Sequence, residues 1–503
     1  MNFTSFLEVN ASYYGEKIAI IDSKNNYCID YKSLLNKVNS LSYNLKKIGI
    51  EKGDRIIIAT GSKPETIISY FAIWRIGAIA IPINPDYKIL EISNIIDISK
   101  PKAIITNEDL LNNFNDIIKN DIIKIPLDIK NLNEKIDFSP ENVSIDEICQ
   151  IQFTSGTTGK PKGAILTHGN WMAAVEAEKW ALELNENDIY LGFYPHFHVG
   201  VSWGITAIRY GATFIIMERY NLKDFLKLIK EYKATIISGM PPVLYELAYS
   251  PLNIEDYLNS VRCIITGGAT TPEKIWRDFS KRFPNIKVVN AYGLSETLVL
   301  GSGTAVPYRY QYLSKNFKSV GLPIGYTEIK IVDPNNPKIK LPIGEIGEIA
   351  IRGPGVAKGY WMNPEETKKS FLEDGWFLTG DLGYIDEDGV LYITTRKKDV
   401  IIMSGWKIYP NEVEEVILKH PKVAEVAVFS KYDERRGEVP AAAIVLKSGE
   451  NATSEEIIEF CKDKIANYKI PKYIIFLNEL PKMNAWKILR RVLREKYGGF
   501  PNK

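Results

Sequence analysis

Cysteine and histidine are scarce in this chain, with four of each among 503 residues. The cysteines, Cys28, Cys149, Cys263 and Cys461, lie far apart and lack metal-ligand spacing, so a cysteine-built metal site is not expected. Cys149 and Cys263 sit beside apolar runs and read as buried thiols. Long hydrophobic runs are missing: none approaches the ~18 residues of a membrane span. Met1 to Ser5 show no basic region or apolar core of a signal peptide, so a reducing cytoplasm is the expected setting. An excess of one charge is also missing. Lys+Arg 63 against Asp+Glu 61 leaves a net charge of +2, which argues against a dedicated nucleic-acid or polyanion binder.

A chain this long exceeds what one hydrophobic core supports, so at least two domains are expected. The 45% hydrophobic and 25% charged content is that of an ordinary globular protein. Leu34, Leu35, Val38, Leu41 and Leu45 recur at helical spacing before a strand at Arg55 to Ala59, and an apolar helix from Ile67 to Ile76 precedes Ala78 to Pro82. Such alternation implies α/β layers with largely parallel sheets. Asn107 to Val143 is polar and weakly periodic and reads as a peripheral excursion. Residues 318–378, rich in Gly and Pro with short β runs, read as a smaller β subdomain. Beyond Arg396-Lys397-Lys398-Asp399 the pattern turns to a compact α+β unit. Its helices are expected at Asn411 to Lys419 and Glu455 to Ile465, and its strands at Val426 to Phe429 and Ala441 to Val445.

The most informative stretch is Thr154-Ser155-Gly156-Thr157-Thr158-Gly159-Lys160-Pro161-Lys162-Gly163. Glycines and small hydroxyl residues let backbone amides converge on an anion, and the two lysines add positive charge. Extended segments on both sides make it a link between two strands. It is not a Walker A loop, because position 154 is Thr and Pro161 follows Lys160. The string resembles the phosphate loop of the adenylate-forming superfamily, which includes acyl-CoA and aryl-CoA ligases.

Four further segments are similar to motifs of that family, in the same order. Tyr292-Gly293-Leu294-Ser295-Glu296 resembles Tyr-Gly-x-Thr-Glu, and the resemblance implies a ring stacked on adenine and a carboxylate for Mg²⁺. Gly268 and Ala269 match the backbone strip beside the adenine. Thr379-Gly380-Asp381 lies fifteen residues before Arg396; the family uses such an Asp and Arg on the ribose hydroxyls, and places its hinge at the position of Lys398. In Tyr194-Pro195-His196-Phe197-His198, His198 matches the gate beside the acyl pocket. Lys487, in Pro481-Lys482-Met483-Asn484-Ala485-Trp486-Lys487, matches the adenylation lysine, although Met483 and Trp486 depart from the family's Thr and Gly. Thr395 likewise stands where the family has Gly. Gly405 and Trp406 match the segment lining the pantetheine channel.

The resemblance implies a large N-terminal domain of layered α/β sheets with a small β subdomain, residues 1–397, followed by a mobile α+β C-terminal domain, 398–503. It implies a ligase that joins a carboxylic acid to ATP and then to coenzyme A, with Mg²⁺. Catalysis would fall to Lys487, His198 and Glu296. Nucleotide and thiol binding would fall to Thr154, Ser155, Gly156, Thr157, Thr158, Lys162, Gly268, Ala269, Tyr292, Gly293, Ser295, Asp381, Arg396, Gly405 and Trp406. The metal would sit at Glu296 and Thr154. Gly293, where acetate-specific relatives carry Trp, implies an open acyl pocket with Trp203, Met240 and Tyr245 on its walls. A medium-chain, hydroxylated or aryl acid is therefore expected rather than acetate. Transfer to a carrier protein, and a weakened homologue that only binds ATP or acyl groups, are the alternatives; a homodimer is left open.

Overall fold

The computed structural model describes residues 1–107, 122–154, 161–269, 271–483 and 487–500, without the side chains of Met483 and Lys487. Runs such as Arg55–Ala59 (RIIIA) are apolar on both faces, the pattern of a strand covered by helices on either side. Two sheets are built from such strands. One has nine, in the order Leu322–Pro323, Thr304–Val306, Lys287–Tyr292, Cys263–Gly267, Ile236–Ser238, Ile189–Gly192, Thr213–Ile216, Ile18–Asp22, Tyr27–Asp30. Its six strands from Lys287–Tyr292 to Ile18–Asp22 are parallel. The other has six strands, with Ile148–Thr154 and Lys162–Thr167 antiparallel at one edge.

Helices lie between and outside the two sheets. Tyr31–Lys47 starts at Asp30, whose carboxylate accepts from Ser33 N at 2.7 Å, and ends on Lys46 and Lys47, charges that suit both ends of its dipole. Pro64–Arg75 begins on proline and is buried at every position but the half-buried Glu65. The largest core group joins this helix to His168–Leu182 through Trp74 and Trp171, 4.8 Å apart, and draws residues from both sheets. A second group covers the outer face of the nine-stranded sheet and a third that of the six-stranded one. Layers of helix and sheet alternate, as the α/β pattern implies.

The smaller β region extends beyond the expected 318–378. Its antiparallel sheet runs Glu328–Val332, Gly347–Arg352, Phe377–Ile385, Leu391–Arg396, because the hairpin pairing Asp381 with Arg396 continues the same sheet. The excursion after Asn107 is not wholly peripheral: Ile123–Pro126 pairs in parallel with Ala103–Thr106 as an edge strand. After a single turn at Lys397–Asp399, Ile401–Met403 opens a separate sheet with Trp406–Ile408, Val423–Asp433, Gly437–Leu446 and Tyr473–Phe476. Helices Pro410–Ile417 and Ser454–Cys461 pack on this sheet. The second helix stops short of the expected Ile465, because Lys462 turns extended (ψ 147°) and Asp463 takes φ 63°. Lys482–Met483 pairs antiparallel with Lys487–Ile488 before helix Arg490–Tyr497.

Candidate functional site

Parallel strands place their C-terminal ends along one edge, where α/β proteins form ligand crevices. Strands Ile148–Thr154, Cys263–Gly267 and Lys287–Tyr292 deliver Thr154, Gly268 and Tyr292 to such ends. Thr154 faces Lys162 across the hairpin, and its hydroxyl donates to the Lys162 carbonyl at 3.4 Å. The strand–loop–strand arrangement expected here is therefore present. Ser155, Gly156, Thr157 and Thr158 lie outside the described residues.

The side chains expected to meet the nucleotide form a connected set. Tyr292 is buried, and its hydroxyl donates to Asp381 Oδ2 at 2.8 Å. Burial, and then the charge of Asp381, push the Tyr292 phenol well above its ordinary range. Asp381 and Arg396 are cross-strand partners, with Arg396 Nε 3.5 Å from Asp381 Oδ1. Strand pairing thus brings two residues fifteen apart to one spot. Asp381 is 8% exposed and Arg396 half-buried, leaving the guanidinium reachable from outside. Gly268 is exposed and Ala269 half-buried, beside the end of Tyr292's strand.

Three residues beyond Gly293, Glu296 lies half-buried in the turn Ser295–Thr297. Its Oε1 accepts from the Tyr360 hydroxyl at 2.9 Å. The Lys162 ammonium stands 5.3 Å from the centre of the Tyr360 ring and pairs with Glu366. Tyr360 and Glu366 were not singled out from sequence. The segment Gly359-Tyr360-Trp361-Met362-Asn363-Pro364-Glu365-Glu366 falls within the Gly- and Pro-rich stretch 318–378, and nothing local links it to residue 162. Glu296 suits a hard cation that takes its other ligands from phosphates and water, a donor set matching Mg²⁺. Thr154, read with it as a metal residue, donates its hydroxyl to the Lys162 carbonyl, which leaves its oxygen lone pairs available to a cation.

The acyl side is less open than Gly293 implies. A Cβ on Gly293 would fall 1.9 Å from the Val299 carbonyl oxygen, so glycine here answers a close backbone approach. Leu298 and Val299 take φ 46° and 52°, strained for side chains of their size, and this aims that carbonyl at Gly293. Openness is therefore not what the glycine secures. Trp203 and Met240 are each 3% exposed, in two different core groups. Tyr245 is exposed and packs on Tyr249. Tyr194, which sequence reasoning passed over, donates to the Gly239 and Ile265 carbonyls at 3.3 and 3.2 Å, across two strand ends.

The two histidines of the heptad separate cleanly. His196 is buried: its amide donates to Ser62 Oγ at 3.2 Å, and its carbonyl accepts from Tyr70 at 2.9 Å. Burial lowers its pKa to about 4, so it holds structure as a neutral ring. His198 is exposed, where Val199–Val201 begins a single turn. Ser295 is buried.

In the C-terminal unit, Ser404 and Gly405 (φ 49° and 87°) form a two-residue hairpin turn, the geometry that Gly at its second position favours. Trp406 is 60% exposed and rests on Tyr468, ring centres 5.3 Å apart, so it packs within its own unit. Lys398 is exposed, yet its ammonium sits below the usual lysine range. The protein crowding it comes first, then the charge of Arg396, with Arg494 and Arg491 adding to it. Position 487 is carried by the Lys487–Ile488 strand; its side chain lies outside the described residues.

A family model described as AMP-binding enzyme matches residues 7–361, and one described as AMP-binding enzyme C-terminal domain matches 412–487. The chain belongs to the AMP-binding enzyme family. It is 34% identical to the 2-succinylbenzoate–CoA ligase of Bacillus cereus (strain Q1), over 93% of each chain. It is 31% identical to 4-coumarate–CoA ligase 2 of Nicotiana tabacum, over 99% of this chain and 95% of that one. Its fold superposes on O-succinylbenzoate coenzyme A synthetase of Bacillus subtilis, solved with ATP and magnesium ion, at TM-score 0.84 and 28% identity, covering 97% of this chain and 99% of that one. The resemblance of its motifs to the adenylate-forming superfamily is thereby borne out. This AMP-binding enzyme is an AMP-forming acid–CoA ligase, with ATP, Mg²⁺ and CoA as its small-molecule set. No helix among the described residues is long and apolar enough to cross a membrane.

Proposed function

We propose that this ligase activates an aryl or medium-chain carboxylic acid, rather than acetate, and transfers it to CoA. The observation that carries the reading is the chain of contacts from Arg396 through Asp381 to Tyr292, and from Glu296 through Tyr360 to Lys162. It lays a ribose-binding carboxylate, an aromatic wall, a metal-binding carboxylate and a phosphate-binding cation along one edge. The base, the ribose and the magnesium-bound phosphates of a nucleoside triphosphate call for these four groups.

Activation requires the acid's oxygen to attack the α-phosphorus while pyrophosphate leaves, two anions meeting in one site. In this reading Asp381 accepts from the ribose hydroxyls, Tyr292 backs the base, and Arg396 orients the sugar. Lys162 steadies the departing phosphates. Magnesium at Glu296 would offset charge on the phosphate oxygens. Lys487, brought by the C-terminal domain (398–503), would bridge carboxylate and α-phosphate as a flexible point charge. His198 would stand at the acyl entrance. After adenylation, rotation about Lys398 would present Gly405 and Trp406 to the thiol. The similarity to 2-succinylbenzoate–CoA and 4-coumarate–CoA ligases favours a ring-bearing acid.

AMP formation with ATP, Mg²⁺ and CoA should be measured across 2-succinylbenzoate, 4-coumarate, medium-chain fatty acids and acetate. Turnover of a ring-bearing or medium-chain acid well above acetate is expected. Acetate turned over best would sink the substrate reading, and no pyrophosphate release with any acid would sink the activity.

A further inference from the structure

Lys162 and Glu296 are mounted on one tyrosine. Tyr360 donates its hydroxyl to Glu296 while its ring lies beneath the Lys162 ammonium. Lys162 has a second partner in Glu366, 204 residues on, in the short helix Pro364–Ser370. The two side chains are 15% and 25% exposed, so the pair is partly shielded from water and stronger than an ordinary surface pair. Glu366 is held in place from behind: its amide donates to Asn363 Oδ1 at 3.2 Å, and Lys369 reaches its other carboxylate oxygen at 3.1 Å. The hydrogen bonds from Lys162, then Lys369, keep the Glu366 carboxyl below its usual range.

We propose that Glu366 is a stand-in anion, which holds Lys162 in the empty site and gives it up to the polyphosphate of ATP. The proposal rests on the reading of Lys162 as a phosphate contact. A partly buried ammonium without a counter-charge is costly, and Glu366 removes that cost while no phosphate is bound. Lys369, 68% exposed, makes the exchange tolerable, because Glu366 keeps one cation when Lys162 leaves. Tyr360 limits how far Lys162 travels, since its ring is anchored through Glu296. Two anions then compete for one lysine, and the competition acts on the outer phosphates only. AMP, which lacks them, should not feel it.

The test is calorimetric titration of the full chain with ATP and with AMP, for the parent, Glu366→Gln, Lys162→Met and the double variant. Glu366→Gln should bind ATP about three- to tenfold more tightly, the scale of a partly shielded ion pair. AMP affinity should stay the same, and the gain should vanish when Lys162 is Met. AMP binding by each variant also certifies its fold. Weaker ATP binding by Glu366→Gln, an equal shift for ATP and AMP, or the same gain without Lys162 would each overturn the exchange. If the parent binds neither nucleotide, the nucleotide reading falls and takes the exchange with it. If it binds ATP yet turns over no acid, only the ligase reading falls, and the four affinities still decide the exchange.

Discussion

The two ends of the nucleotide wall are built on different principles. At the ribose end, Tyr292, Asp381 and Arg396 already hold one another: a buried phenol donates to a buried carboxylate whose cation sits on the neighbouring strand. At the proposed phosphate end, Lys162 is paired with Glu366, the acid that the phosphates would displace in the exchange proposed above. The first end is preorganised and loses little on binding; the second is neutralised and has to be opened. Recognition of the nucleoside can therefore be rigid, while the response to the outer phosphates is exchangeable.

The comparison can be broken or sharpened at several points. The largest effect is expected at Lys487, which neither end contains. Lys487→Ala should slow pyrophosphate exchange about 100- to 1000-fold, the scale of losing a cation at the reacting phosphate. It should leave thioester formation from supplied acyl-adenylate nearly intact, and equal loss of both half-reactions would contradict that assignment. Next, Asp381→Ala should weaken ATP and AMP alike, by about 100-fold, because it strips the ribose end of its charged acceptor. If titration shows ATP suffering far more than AMP, the ends are not separable in this way. Gly293→Ala should cost about 1–3 kcal/mol in denaturant unfolding, since its Cβ would strike the Val299 carbonyl. A variant of unchanged stability would mean that the strained Leu298–Val299 turn yields readily.

A further carboxyl sharpens the contrast. Glu178 is fully buried and, among the described residues, has hydroxyl donors only, Ser202 and Thr206, the latter at 2.6 Å. Burial raises its pKa to about 8, against 4.5 for an ordinary glutamate, whereas Asp381 has Arg396 beside it. A raised pKa means that the folded state holds a proton the unfolded state releases. Its contribution to stability is thus complete below about pH 4.5 and is lost as pH climbs toward 8. Glu178→Gln should flatten this loss in urea melts between pH 5 and 8, by at most about 1.4 kcal/mol per pH unit. Parallel curves for parent and variant would remove the buried proton from the account.

Much of the site was legible in the chain because its chemistry is local. The glycine and hydroxyl loop at 154–163 carries its own anion-binding logic, and the expected strand on each side is present. Asp381 and Arg396 were legible as a spaced pair, and the hairpin supplies the reason. Glu366 was not legible, because an ion pair 204 residues apart leaves no local mark in either segment. Gly293 was legible as a position, but the close approach of the Val299 carbonyl, six residues on, was not.

By itself, the sequence determined the layered α/β class, the family and the order of the motifs, because these follow from periodicity and from residues adjacent in the chain. Only the tertiary structure decided which charges meet. The Lys162–Glu366 pair, the tyrosine beneath it and the buried proton of Glu178 arise from segments folded together across the molecule, where burial and distance set whether a charge is paired, exchanged or given up.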